Sequence, residues 1–253
     1  MWAYNETFYQ IYPIGFCGAP VHNDGVPAHR ILKIGDWAEY LGNLGIGSII
    51  LNPIFESDNH GYDTRDFKTI DCRLGTNEDF KEVCEDLHKH NVKIVLDGVF
   101  NHCGAFHKWL DREEIYKYQK KGAYYCKQSP YHDYFYWKED GSYEGWWNYP
   151  NHPKLNMENC SALYWEIMRI GQKWVSPPYN ADGWRLDVAA DVGKSEEFNH
   201  KFWHDFRSAV KKANPEALIL AEHYGDAEAW LRGDQWDGVM NYDAFMEPVS
   251  WYF

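Results

Sequence analysis

None of the six cysteines, Cys17, Cys72, Cys84, Cys103, Cys126 and Cys160, is spaced C-x-x-C with another. That excludes the usual zinc and thioredoxin signatures, and the thiols are expected to be reduced. No apolar run approaches the ~20 residues of a membrane span. The opening residues, Met1-Trp2-Ala3-Tyr4-Asn5-Glu6, lack the basic and apolar regions of a secretion signal, so a cytoplasmic location is expected. Positive charge is scarce, with 25 Lys and Arg against 38 Asp and Glu and a net charge of -13. This balance argues against nucleic acid and membrane surfaces as partners, since both favour clustered basic residues. It suits a neutral ligand, though simple solubility accounts for it equally. No internal repeat, low-complexity tract or linker is present.

Aromatic residues are abundant. They make up 18% of the 253 residues, with 13 Trp and 19 Tyr. Flat rings either fill a core or stack on the apolar faces of sugars. The length suffices for one barrel-sized domain or two small ones, with ample core.

Short apolar runs alternate with helical patterns. Thr7–Tyr12 reads as a first strand, stopped by Pro13. Trp37, Leu41 and Leu44 mark a helix face ending near Gly45. Ser48–Leu51 is a second strand. Thr76 with Asp79 forms a capping-box variant ahead of an apolar stripe of Phe80, Val83, Cys84 and Leu87. Lys93–Asp97 is the third strand. Residues 103–157 are rich in Tyr, Trp, His, Lys and Gly and lack periodicity. Leu163, Ile167, Ile170 and Trp174 then mark a helix, before a fourth strand ending at Asp187. Phe202, Phe206 and Val210 mark another helix, stopped by Asn214-Pro215. A fifth strand ends at Glu222, and Asp237–Tyr242 reads as a sixth. Such alternation predicts an α/β fold with a parallel sheet. Polar strand ends point to a (β/α)8 TIM barrel, represented by about its first six strands, with a loop-rich insertion after strand 3. The expected division is 1–102 and 158–253 for the barrel and 103–157 for the insertion.

The strand ends carry the candidate chemistry. Asp187 and Glu222 close two successive strands, about one strand spacing or ~5 Å apart. Retaining glycosidases hold two carboxylates roughly 5–5.5 Å apart. Asp187 would be the nucleophile and Glu222 the general acid/base. Arg185, two residues before Asp187, points to the same face and would keep it ionised; alternatively the pair is a rim salt bridge. Asp97 would orient Arg185 from the adjacent strand. His102 would donate to a sugar hydroxyl, and Tyr62 would stack on the cleaved sugar. His223 is a further candidate contact beside Glu222, or simple packing. Trp146 and Trp147 either line sugar subsites or form a small core within the insertion.

Taken together, these segments resemble the α-amylase superfamily of retaining α-glucan enzymes. Asp97-Gly98-Val99-Phe100-Asn101-His102, Gly183-Trp184-Arg185-Leu186-Asp187, Ala221-Glu222-His223 and Gly61-Tyr62-Asp63 match its motifs in order. Pro153-Lys154-Leu155-Asn156 is similar to the extra motif of the neopullulanase and cyclomaltodextrinase branch. The resemblance implies cleavage of α-glucosidic bonds in starch-type oligosaccharides, with residues 103–157 walling the cleft. Many members of that family bind a calcium ion between the barrel and the inserted stretch, and Asn101 matches one such ligand position; no metal site and no cofactor is assigned. The family places a third Asp after its seventh strand, and this chain has no counterpart before Phe253. The branch's N-terminal β-sandwich has no counterpart either. The expectation is therefore a fragment of a longer product, or a barrel completed by a partner chain such as a second copy. Two other functions fit the same residues: a non-catalytic sugar- or partner-binding module, and a transglycosylase.

Overall fold

The computed structural model describes residues 1–116 and 121–253. Among these residues eight strands form: β1 Phe8–Ile11, β2 Ser48–Leu51, β3 Phe55–Ser57, β4 Thr64–Ile70, β5 Lys93–Gly98, β6 Gly183–Leu186, β7 Leu218–Ala221 and β8 Gly238–Val239. Six of them make one sheet in the order β1-β2-β5-β6-β7-β8, and every neighbouring pair is parallel. Parallel neighbours in chain order, joined by helices, are the arrangement of an incomplete (β/α)8 barrel. β3 and β4 form a separate antiparallel hairpin. Periodicity did not reveal it, because Glu56 and Arg65 interrupt any apolar alternation.

The helices are α1 Pro13–Phe16, α2 Leu32–Gly35, α3 Ala38–Asn43, α4 Asn77–Lys89, α5 Ser161–Val175, α6 Glu196–Ala213 and α7 Glu247–Tyr252. The capping box of α4 is complete: Thr76 and Asp79 each bond the other's backbone N–H. Ser195 caps α6, accepting from the N–H of Phe198. The apolar stripes of α4, α5 and α6 face the core as expected. Gly171 lets α5 and α6 approach closely, since a Cβ there would lie 2.6 Å from the Phe206 ring.

Two elements differ from the sequence reading. The Trp37–Leu44 pattern forms the short helix α3, with α2 just before it; Leu41 faces the core as expected, together with Ile34 and Ala38, while Leu44, at the helix end, is 54% exposed. The sixth strand shrinks to Gly238–Val239, because Asn241 leaves the ladder and caps the next turn through the N–H of Ala244.

Strand register explains where polar residues gather. Ile50, Val95, Gly183 and Leu218 lie side by side across four strands. Ile50, Val95 and Leu218 form a small apolar cluster separate from the main core between sheet and helices. Two residues further along the same face, the layer becomes Asn52, Asp97, Arg185 and Leu220. The strand ends thus turn ionic on the inner face. Among the described residues, 103–157 contain two short 3-10 turns, His132–Tyr134 and Trp146–Asn148. Isolated bridges tie this stretch together, and one joins it to the barrel through His102 and Lys154.

Candidate active site

Arg185 sits directly opposite Asp97 in the β5–β6 register. Its Nη1 donates to Asp97 Oδ1 at 2.7 Å and to Asp187 Oδ1 at 2.8 Å. Its Nη2 pairs with Glu222 Oε1 at 2.9 Å. One guanidinium therefore holds carboxylates from three consecutive strands. The N–H of Glu222 donates to the Leu186 carbonyl, so Asp187 and Glu222 leave adjacent strands side by side.

Burial dominates the electrostatics. Asp187 is pushed up to about 8, first by desolvation and then by the charge of Asp97, against the opposing pull of Arg185. Asp97 is raised to about 6 by burial, again opposed by Arg185. Arg185 draws Asp187 down, in the expected direction, while burial and the charge of Asp97 push it up; one positive charge faces three carboxylates in a dry site, and they titrate as a coupled cluster.

Tyr62 lies in the loop between β3 and β4. Its hydroxyl donates to Asp97 Oδ2 at 3.2 Å and accepts from Asn52 Nδ2 at 2.7 Å. Asn52 Oδ1 in turn accepts from Gln10 Nε2 at 3.0 Å. Burial raises the Tyr62 hydroxyl pKa, keeping it a neutral donor. Gln10 and Asn52 escaped the sequence reading. The available signal was their position at strand ends, shared with Asp97.

His102 is only 1% exposed, and burial lowers it to about 3, so the ring is neutral. Among the described residues its Nε2 meets no hydrogen-bond partner. His152 meets this ring edge-on at 5.1 Å, and its own Nδ1 is also unpaired. Trp146 stacks on His102 at 5.0 Å, while Trp147 covers it at 5.2 Å. Its Nε1 donates to Asp191 Oδ2 at 2.7 Å. Trp146 is therefore walled in by its neighbours, and it is Trp147, 73% exposed, that presents a ring to solvent.

Val188, after Asp187, has φ 38° and ψ 49°, an unusual conformation for a β-branched residue. It directs its N–H to Glu222 Oε2 at 3.0 Å. Tyr242 adds its hydroxyl to Glu222 Oε1 at 3.4 Å. His223 packs on Trp230 and Trp236 at 5.0 and 5.7 Å, with Nε2 near the Asp226 carbonyl. It also borders a cavity of about 410 Å³, with Glu222, Tyr224, Val188 and Trp147.

The position matched to calcium does not fit a calcium ion. Asn101 Oδ1 accepts from Lys154 Nζ at 3.1 Å, and the same ammonium donates to the Asp191 carbonyl at 2.6 Å. A tethered cation already uses those oxygens and would repel a second. Among the described residues, Glu56, Asp71 and Cys72 form the one cluster with ligand-like spacing. There Asp71 is already ion-paired to Arg73 at 2.7 Å. No helix is long and apolar enough to cross a membrane, among the described residues.

Comparison with known proteins gives the same picture. Residues 10–252 match the family model described as alpha amylase, catalytic domain. The chain is 38% identical over 248 residues to an amylopullulanase of Thermoanaerobacterium saccharolyticum, covering 90% of this chain and 19% of that protein. It is 34% identical over 281 residues to neopullulanase 2 of Thermoactinomyces vulgaris, covering 100% of this chain and 44% of that one. The solved cyclic alpha-maltosyl-(1-->6)-maltose hydrolase of Arthrobacter globiformis superposes with a TM-score of 0.78 at 29% identity. That match covers 95% of this chain and 56% of the other. The chain thus spans less than half the length of these curated relatives and about half of this solved one.

Proposed function

This chain belongs to the α-amylase catalytic-domain family, and on that premise we propose that it forms the core of a retaining glycoside hydrolase acting on α-glucosidic bonds. Asp187 attacks the anomeric carbon of a glucosyl unit stacked on Tyr62. Glu222 protonates the departing glycosidic oxygen and then takes a proton from the water that releases the sugar. Arg185 and Asp97 hold the two carboxylates in register. His102 offers its neutral ring nitrogen to a sugar hydroxyl, and Trp147 and His223 border the leaving-group side, with Trp146 supporting Trp147.

The observation that carries this reading is the single guanidinium bonded to Asp97, Asp187 and Glu222. A rim salt bridge needs one carboxylate. Three on adjacent strand ends, with a buried tyrosine hydroxyl on the same cluster, suit a site preorganised for charge that develops during reaction. Substrates named for the relatives, cyclomaltodextrin and maltosyl-maltose among them, support an α-glucan.

In this reading residues 103–157 form an inserted unit that walls the cleft, while 1–102 and 158–253 form the barrel. Among the described residues, the sheet ends at two unpaired edges, β1 and β8. Further strands, from more of the same polypeptide or from a second copy, close the barrel. Six free cysteines support a reducing, cytoplasmic setting.

The test is release of reducing ends from maltooligosaccharides, with Asp187→Asn and Glu222→Gln as controls. Loss of several orders of magnitude in both variants is expected. Activity near the parent's in either variant rejects the assignment.

A further inference from the structure

Two amides stand behind the Tyr62 hydroxyl. Gln10 lies on β1 opposite Ile50, and Asn52 follows β2, two residues further along the same inner face. The Asn52 N–H bonds the Ile11 carbonyl at 3.0 Å, which fixes its backbone to β1. Gly61 lets the Tyr62 loop come close: a Cβ there would lie 3.0 Å from the carbonyl oxygen of Pro53, the residue after Asn52. The side chains then form a single file, Gln10 to Asn52 at 3.0 Å, Asn52 to Tyr62 at 2.7 Å and Tyr62 to Asp97 at 3.2 Å.

That file has a direction. Asp97 is ion-paired to Arg185 through Oδ1, and the ionised carboxylate can only accept at Oδ2. Tyr62 has one hydroxyl proton, and Asp97 receives it. The phenol oxygen must then accept from its other neighbour, which requires the Nδ2 end of Asn52. A primary amide that donates at that end has only its oxygen left at the other. Asn52 Oδ1 accordingly takes a proton of Gln10 Nε2. Turning Asn52 over would present its oxygen to Tyr62 and draw the phenol proton away from Asp97.

We propose that Gln10 and Asn52 are positioning residues that aim the Tyr62 hydroxyl proton at Asp97, with Gln10 selecting the orientation of the Asn52 amide. Both act through Tyr62 on the carboxylate that holds Arg185. A donor at the outer end of the file keeps every bond pointing inward to Asp97. A group there that only accepts reverses them. The inference rests on the hydrolytic reading for its kinetic readout alone.

Gln10→Glu tests it, placed both in the parent and in Tyr62→Phe. Gln10 is exposed, so the fold tolerates the change. At neutral pH the new carboxylate only accepts, so Asn52 must donate to it and its oxygen takes the Tyr62 proton. In the parent, kcat on maltoheptaose should fall about fivefold with KM little changed, because the Tyr62 ring still stacks. In Tyr62→Phe no hydroxyl can turn, and Gln10→Glu should add no further loss. Denaturant unfolding of the same four proteins repeats the cycle without turnover, with a lower midpoint expected only where Tyr62 keeps its hydroxyl. No loss in the parent, or equal losses in both backgrounds, overturns the relay, since a charge acting through space or a local packing fault would act in both. A parent without turnover rejects the hydrolytic reading, and the unfolding cycle then decides the relay by itself.

Discussion

The N–H of Val188 reaches Glu222 Oε2 across 3.0 Å, and it does so from a left-handed backbone at φ 38°. The strain aims an amide from the end of one strand at the carboxylate ending the next. Val188→Gly keeps the donor and removes the strain. It should leave stability within about 1 kcal/mol of the parent, because relief of strain and the added chain entropy of glycine oppose each other. Val188→Pro lacks the N–H and cannot adopt positive φ. It should lower both the melting temperature and turnover, the latter by at least about tenfold. Thermal unfolding and the sugar-release assay separate the two.

The buried carboxyl cluster makes stability depend on pH. Asp187 has its folded value raised from 3.8 to about 8. A carboxyl that binds its proton more tightly when folded stabilises the fold below its unfolded value. That contribution is lost as pH rises through the folded value. Between about pH 4 and 8 the parent should therefore lose stability relative to Asp187→Asn, which carries no proton to release. Denaturant unfolding of both proteins at pH 5 and pH 8 reads the difference. Parallel behaviour of the two would show that Asp187 is ionised throughout.

Lys154 is one of the cations that join the 103–157 stretch to the barrel. Lys154→Met leaves Asn101 Oδ1 and the Asp191 carbonyl without their ammonium donor. Unsatisfied buried acceptors cost about 1–3 kcal/mol each. A loss of roughly 2–6 kcal/mol is expected on that basis, seen as a lower denaturation midpoint.

Tyr62→Phe separates the ring from its hydroxyl. The ring remains for stacking, while Asp97 loses a donor and Asn52 loses an acceptor. Turnover should fall about tenfold, equivalent to about 1.4 kcal/mol, with KM little changed. Tyr62→Ala should raise KM as well. Steady-state kinetics on a maltooligosaccharide distinguishes the two effects.

Gly183 tests the scaffold beneath the site. A Cβ there would lie 2.5 Å from the Leu218 carbonyl oxygen, so β6 and β7 would have to part. Gly183→Ala should destabilise by more than about 2 kcal/mol. Because Asp187 and Glu222 ride on those strands, it should also depress turnover in the fraction that folds.

Much of the architecture was legible along the chain. Strands ending in Asp97, Asp187 and Glu222, and helices with apolar stripes, are local patterns, and each formed close to its expected span. The failures share one physical origin. The Tyr62 hairpin has no period-2 signal, since Phe55–Ser57 is only three residues long and Thr64–Ile70 carries Arg65 and Asp66 in succession. Leu44 looked like a core position because three-residue spacing ignores where a helix stops.

Sequence alone determined which residue types stand at the strand ends, because side-chain alternation and strand length are local properties. It could not decide which of them meet. The sharing of one Arg185 among three carboxylates depends on register between β5, β6 and β7. The rise in Asp187 depends on burial, which comes from residues far away in the chain. The Lys154 ammonium at Asn101 spans 53 positions, and only tertiary packing brings those oxygens and that charge together.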